Sequence, residues 1–189
     1  DTTVVNFTKG PAALATAMQR CLAHPEEAAA WDALEHAAET RADTQSVADL
    51  HRATLQRELP AELLVEIGAR AVRFHDEWAL GDEALIALLV RVLTVDPTVK
   101  WAFDRLSLEL TMRDRREELL WLYDRVLGAV EGTRQIALLE EAADVARRSQ
   151  QIDRAIGYLE RLFDADPRRA AIAASLERLL EQRARHADL

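Results

Sequence analysis

Cys21-x-x-His24 is a step that would set two metal-ligand side chains on a single helical face. Zinc needs four such ligands in a structural site and three in a catalytic one. Cys21 has no second cysteine to join it, and His36, His51, His75 and His186 form neither an HExxH helix nor the Glu-x-x-His pairs of a di-iron bundle. No metal and no other cofactor is therefore expected, and an intrachain disulfide is excluded. Ser46, Ser107, Ser149 and Ser175 lie in helical stretches without the sharp GxSxG turn that exposes a nucleophile. The 6 glycines form no GxGxxG or GxxxxGK[ST] loop to cradle a phosphate. Glu117-Glu118 and Glu140-Glu141 pair carboxylates, but such neighbours are ordinary on a solvated helix. His51 falls on the packing face of its segment and reads as a satisfied interior histidine; His75-Asp76-Glu77 reads as a solvated loop. The chain is not expected to be an enzyme.

Charge narrows the partners. The formal net charge of -9 disfavours nucleic acid and anionic membrane surfaces, and no aromatic residues interleave with the basic runs at Arg113 to Arg116 and Arg168-Arg169. The longest apolar run, residues 84 to 90, is far shorter than the roughly 20 residues a membrane span requires. The first residue is Asp and no basic-then-apolar signal stretch opens the chain, so a piece of a longer protein is expected; its richness in Ala and in Arg over Lys points to a bacterial one. The compartment stays open, with the cytoplasm ahead of export.

The elements that would carry any function are helical. Ala, Leu, Glu and Arg dominate, hydrophobic residues make up 49%, and only 6 Gly and 5 Pro interrupt them. Residues 1–10, rich in Thr and Val, read as an extended tether or linker; the alternative is a docking strand, and Asn6-Phe7-Thr8 fits a glycosylation triplet. From residue 11 to residue 189 a single helical repeat domain is expected. Its breaks fall at Pro25, Pro60, Pro97, Gly132 and Pro167, at separations of 35, 37, 35 and 35 residues. Proline ends one helix and suits the first turn of the next, because that turn leaves its N–H groups unpaired anyway. Even spacing of such breaks marks a repeat array.

Softer breaks at residues 41–45, 79–83, 112–116 and 148–152 halve each interval into two helices. Asp43 or Thr44, Asp82 and Asp114 are candidate N-caps, Asp114 with Glu117 having capping-box spacing. Apolar residues step by three and four: Trp31, Leu34 and Ala38; Phe103, Leu106 and Leu110; Leu139, Ala142 and Ala146; Ala173, Leu176 and Leu180 in the first helices. The second helices carry Leu85, Leu89 and Val92; Leu119, Tyr123 and Val126; Ala155, Leu159 and Leu162. The stretch at residues 73 to 79 is extra, as an extended helix or a longer loop.

This pattern resembles the tetratricopeptide repeat over roughly residues 12 to 186. The best match runs from Ile136 to Pro167 through Leu139, Ala142, Ala143, Ala146, Ala155, Leu159, Leu162 and Pro167. Leu64, Ile67, Gly68 and Ala71 fit the first-helix motif with its glycine, whereas Glu35, Ser107, Ala143 and Glu177 stand at that glycine's position elsewhere. The resemblance implies an all-α solenoid of about five stacked antiparallel helix pairs, a right-handed superhelix with a concave groove. It implies a scaffold that binds a peptide, a helix or a protein surface. The alternatives are an accessory or regulatory domain of an enzyme whose catalytic part lies elsewhere, and an array that self-associates.

Carried over, the groove positions are Asp32, His36 and Glu39; Trp101, Asp104, Leu108 and Thr111; Glu140, Asp144 and Arg147; and Arg178 and Glu181. Val65, Ala69 and Val72 would give an apolar floor. Clustered carboxylates place a basic segment among the candidate partners. Asp32 and His36 stand where the family's chaperone-tail clamp needs Lys and Asn, which disfavours that ligand. Trp31 is expected in the core and Trp101 as a partner anchor. Trp121 is placed either sealing the stack or outside it, and Trp78 in the irregular stretch.

Overall fold

A computed structural model describes residues 11–41 and 43–187; the tether, Asn6 and residue 42 lie outside the described residues. Ten helices follow one another: α1 (Pro11–Ala23), α2 (Ala28–Arg41), α3 (Thr44–Leu55), α4 (Ala61–Trp78), α5 (Asp82–Val95), α6 (Lys100–Met112), α7 (Arg116–Leu127), α8 (Gly132–Arg148), α9 (Ile152–Ala165) and α10 (Ala170–Ala187). No strand occurs among the described residues. The chain forms two compact units, residues 1–96 and 97–189. In the first, each of α1 to α5 packs on its neighbour in sequence; in the second, α6 to α10 do the same. Short joints leave such neighbours antiparallel. This is the expected all-α stack of helix pairs.

The core is the expected one, with two exceptions. Trp31, Leu34, Ala38, Leu89, Leu106, Leu139 and Leu162 are all at most 2% exposed. Leu159 is only half-buried, and α10 buries Ile172 and Leu179 while Ala173, Leu176 and Leu180 stay half-buried. α10 packs on α9 with no following helix among the described residues, so its covered stripe is rotated and narrower.

Residues 73 to 78 continue α4 instead of looping out. The helix ends at Ala79, whose φ of 47° is left-handed, and Gly81 with φ 100° then starts α5. His75, expected in a solvated loop, is consequently 5% exposed. The caps also differ from expectation. Asp43 does cap α3, accepting from the Ser46 N–H at 3.3 Å. Asp82, however, is the first residue of α5, and Asp114 sits one residue outside the N-cap of α7, Arg115. Asp114 and Gln150 take φ of 54° and 58°, and the following N–H groups bond back to Leu110 O (2.9 Å) and Ala146 O (2.8 Å). These are left-handed turns that satisfy the last carbonyls of α6 and α8.

Gly68 marks a close approach: a Cβ there would meet Val92 Cγ2 at 2.3 Å. A second device recurs at the repeat interval. Arg57 donates to Leu22 O (2.8 Å), Arg91 to Leu55 O (2.7 Å) and Arg161 to Leu127 O (3.5 Å). Each guanidinium thus covers carbonyls that the end of an earlier helix leaves without intrahelical partners.

Candidate functional site

Nine of the twelve groove positions lie in the second unit, on α6, α8 and α10. Trp101, Leu108 and Met112 are 37%, 51% and 63% exposed. Steps of seven and four put them on one face of α6, because 3.6 residues make a turn. Among the described residues they are three of five large exposed apolar side chains, the others being Leu22 and Trp121. Beside this face runs an open cleft of about 550 Å³ between α6 and α8, lined by Asp104, Leu108, Thr111 and Leu138 and floored by Tyr123 of α7. The Tyr123 hydroxyl donates to Glu141 at 3.1 Å, and burial and that carboxylate push its pKa well up.

A second open cleft of about 550 Å³ lies between α8 and α10, with Leu159 and Leu162 of α9 on its lining. Glu140, Asp144 and Arg147 line it, and Arg178 joins them. The expected wall of negative charge does not form. Arg169 pairs with Glu140 at 2.5 Å, Arg147 and Arg148 with Asp144 at 2.6 and 2.8 Å, and Lys100 with Asp104. Two carboxylates of this cleft stand against three guanidiniums, those of Arg147, Arg169 and Arg178.

In the first unit Asp32, His36 and Glu39 sit on the outside of α2. His36 pairs with Glu39 at 3.5 Å along the helix, and Arg70 of α4 takes Asp32 at 2.8 Å. Val72 belongs to the core at 8% exposure, so the apolar floor is reduced to half-buried Val65 and Ala69.

Beneath Asp32 lies a cluster that spacing alone did not show. Arg70 also holds Glu35 at 3.1 Å, and Glu35 Oε1 stands 3.7 Å from His51 Nε2, beyond hydrogen-bond reach. His51 is 1% exposed, stacked on Trp31 at 4.9 Å and edge-on to Phe74 at 5.6 Å. It is interior, as expected, but not satisfied: neither ring nitrogen has a hydrogen-bond partner among the described residues. Burial, helped by Arg70, lowers its pKa to about 4, while burial raises that of Glu35. Glu35 stands where the repeat that the sequence resembles carries glycine, and that departure was the available signal. Cys21 points into this core and burial pushes its thiol up to about 11, whereas His24 is exposed beside Glu26 at 3.4 Å. The two are not brought together, and no three His, Cys, Asp or Glu side chains gather as a metal set among the described residues.

No family model matches the chain, and no curated protein matches it. Among solved structures, a crystal structure of MamA protein shares 16% identity over 82% of this chain and 81% of that one, with a TM-score of 0.42. BtubC (BKLC) from P. vanneervenii shares 13% over 82% and 70%, with a TM-score of 0.40. A second MamA structure gives 16% over 82% and 98%, with a TM-score of 0.38. At these values the chain's own geometry has to carry the functional reading.

Proposed function

We propose that this chain is a protein-interaction module that takes a partner segment along the α6–α8–α10 side of its second unit. The observation that carries this is the exposed apolar face of α6, Trp101, Leu108 and Met112, set beside an open cleft. Exposed apolar groups that neighbour one another on a chain of net charge -9 are the ordinary mark of a binding surface. An apolar residue of the partner seats against Leu108, and main-chain and polar groups extend along Asp104, Glu140, Asp144 and Arg147. Because those carboxylates are matched by Lys100, Arg169, Arg147 and Arg148, the partner is selected by its apolar anchor more than by basic charge. No reaction is assigned to the chain.

Affinity capture with the wild-type chain, beside Leu108→Asp with Met112→Asp, tests this reading. A protein retained by the wild type and lost from the double variant, both with the same helical spectrum, is the expected result. Equal retention by both would remove α6 from the interface.

A further inference from the structure

The crevice between α3 and α5, made by second helices of the first unit, has a counterpart in the second unit between α7 and α9. α3 and α7 are both 12 residues long, and α5 and α9 both 14. They therefore register residue for residue, and Arg91 on Leu55 O matches Arg161 on Leu127 O. In the second unit, side chains bridge α7 and α9. Tyr158 donates to Asp124 at 2.6 Å, and Arg154 reaches Glu117 at 3.3 Å and Asp124 at 4.0 Å.

In the first unit every one of those positions is changed. Ala84 stands for Arg154 and Leu88 for Tyr158, so the filling volume is gone. Gln45 stands for Glu117 and Arg52 for Asp124, so both carboxylates are gone, while the cation lost at Ala84 returns at Arg52. What remains is a hollow of about 120 Å³ with Leu55, Ala84, Ala87 and Leu88 on its wall and Arg52 and Arg91 beside them. Arg52 pairs with exposed Asp49 on its own helix; Arg91 has its bond to Leu55 O and no carboxylate partner among the described residues. The hollow lacks an apolar body and a negative charge together.

We propose that this hollow binds a small free carboxylate carrying a short branched-alkyl or aryl body. An apolar cavity of about 150 Å³ admits benzene, so a hollow of this size with an open mouth admits a body of that bulk. The carboxylate lies against Arg91 and Arg52, where charge-assisted hydrogen bonds are strongest.

The test titrates 4-methylpentanoate and phenylacetate into the isotope-labelled full chain and follows amide shifts. Saturable shifts at Leu55, Ala84, Ala87 and Leu88 are expected, with 4-methylpentanamide binding about tenfold more weakly because it lacks the charge. Ala84→Arg with Arg52→Asp rebuilds the bridge of the second unit and should abolish these shifts while leaving the helical spectrum unchanged. Should that pair fail to fold, Leu88→Tyr, copying Tyr158, fills the hollow and serves the same purpose. Absence of saturable shifts with both acids at millimolar concentration overturns the proposal. So does equal binding of acid and amide, or undiminished binding by the filled variant.

Discussion

His51 of α3 and Tyr123 of α7 hold the same position in helices of the same length, yet their polar atoms are treated in opposite ways. Each ring packs on an aromatic residue of the preceding helix, His51 on Trp31 at 4.9 Å and Tyr123 on Phe103 at 5.6 Å. Tyr123 has Glu141 for its hydroxyl, whereas both nitrogens of His51 are buried without a partner among the described residues. One repeat frame thus accepts a satisfied phenol in one unit and a desolvated imidazole in the other. The two surroundings differ: Glu141 from α8 accepts from the Tyr123 hydroxyl, while Arg70 from α4 binds Glu35, whose other oxygen stops 3.7 Å from His51.

The largest effect should separate Leu89 from Leu159, which share a register in α5 and α9. Leu89 is fully buried, and Leu89→Ala should cost about 2–5 kcal/mol as a cavity. Leu159 lines the open cleft of the second unit, so Leu159→Ala should cost less than half as much. Denaturant unfolding measures both, and equal costs would break the register.

Acid should act on the first unit. His51 titrates at about 4 when folded against an ordinary 6.5, so below that ordinary value the unfolded chain takes up the proton first. Stability is whole above pH 6.5 and drains as the pH falls toward 4, by about 3 kcal/mol in all. Glu35 has a raised pKa, so protonating it favours the fold and offsets part of the loss at the acid end. His51→Tyr, copying α7, should flatten the pH dependence of the melting temperature over that window. An unchanged slope would clear His51 of responsibility.

Gly68→Ala should cost about 1–3 kcal/mol, since the new methyl group meets Val92. Ala143, at the equivalent repeat position in α8, already carries that methyl group at 7% exposure, so Ala143→Gly should not gain stability in return. The smallest effect is expected at Ala79, where glycine relieves the left-handed φ of 47° and Ala79→Gly should stabilise by about 1 kcal/mol or less. Thermal melts measure all three, and a destabilised Ala79→Gly would contradict the turn geometry.

Most of the fold was legible because it depends on backbone punctuation and apolar period, both of which are local. Pro25, Pro60, Pro97, Gly132 and Pro167 fall at the helix joints, and Trp31, Leu34, Phe103 and Leu106 fill the core as their steps of three and four require. Asp114 misled because an Asp–x–x–Glu spacing fits a cap, while aspartate also tolerates the left-handed turn it adopts. His75 misled because HDEWA is polar enough for a loop, although α4 runs through it and buries the imidazole. Charge was the least legible property. Glu140 and Asp144 read as an acidic wall, but Arg169, 29 positions further on, pairs with Glu140, and neighbouring Arg147 and Arg148 pair with Asp144. Pairings between helices depend on how each helix is turned, which spacing along one helix does not record.

The role of the α6 face is tested most directly by site-specific photocrosslinking from the full-length chain in its own cell extract. A photoreactive residue at position 108 should trap the partner, while the same residue at position 121, on exposed Trp121 of α7, should not. A partner trapped from position 121 and never from 108 would contradict the account.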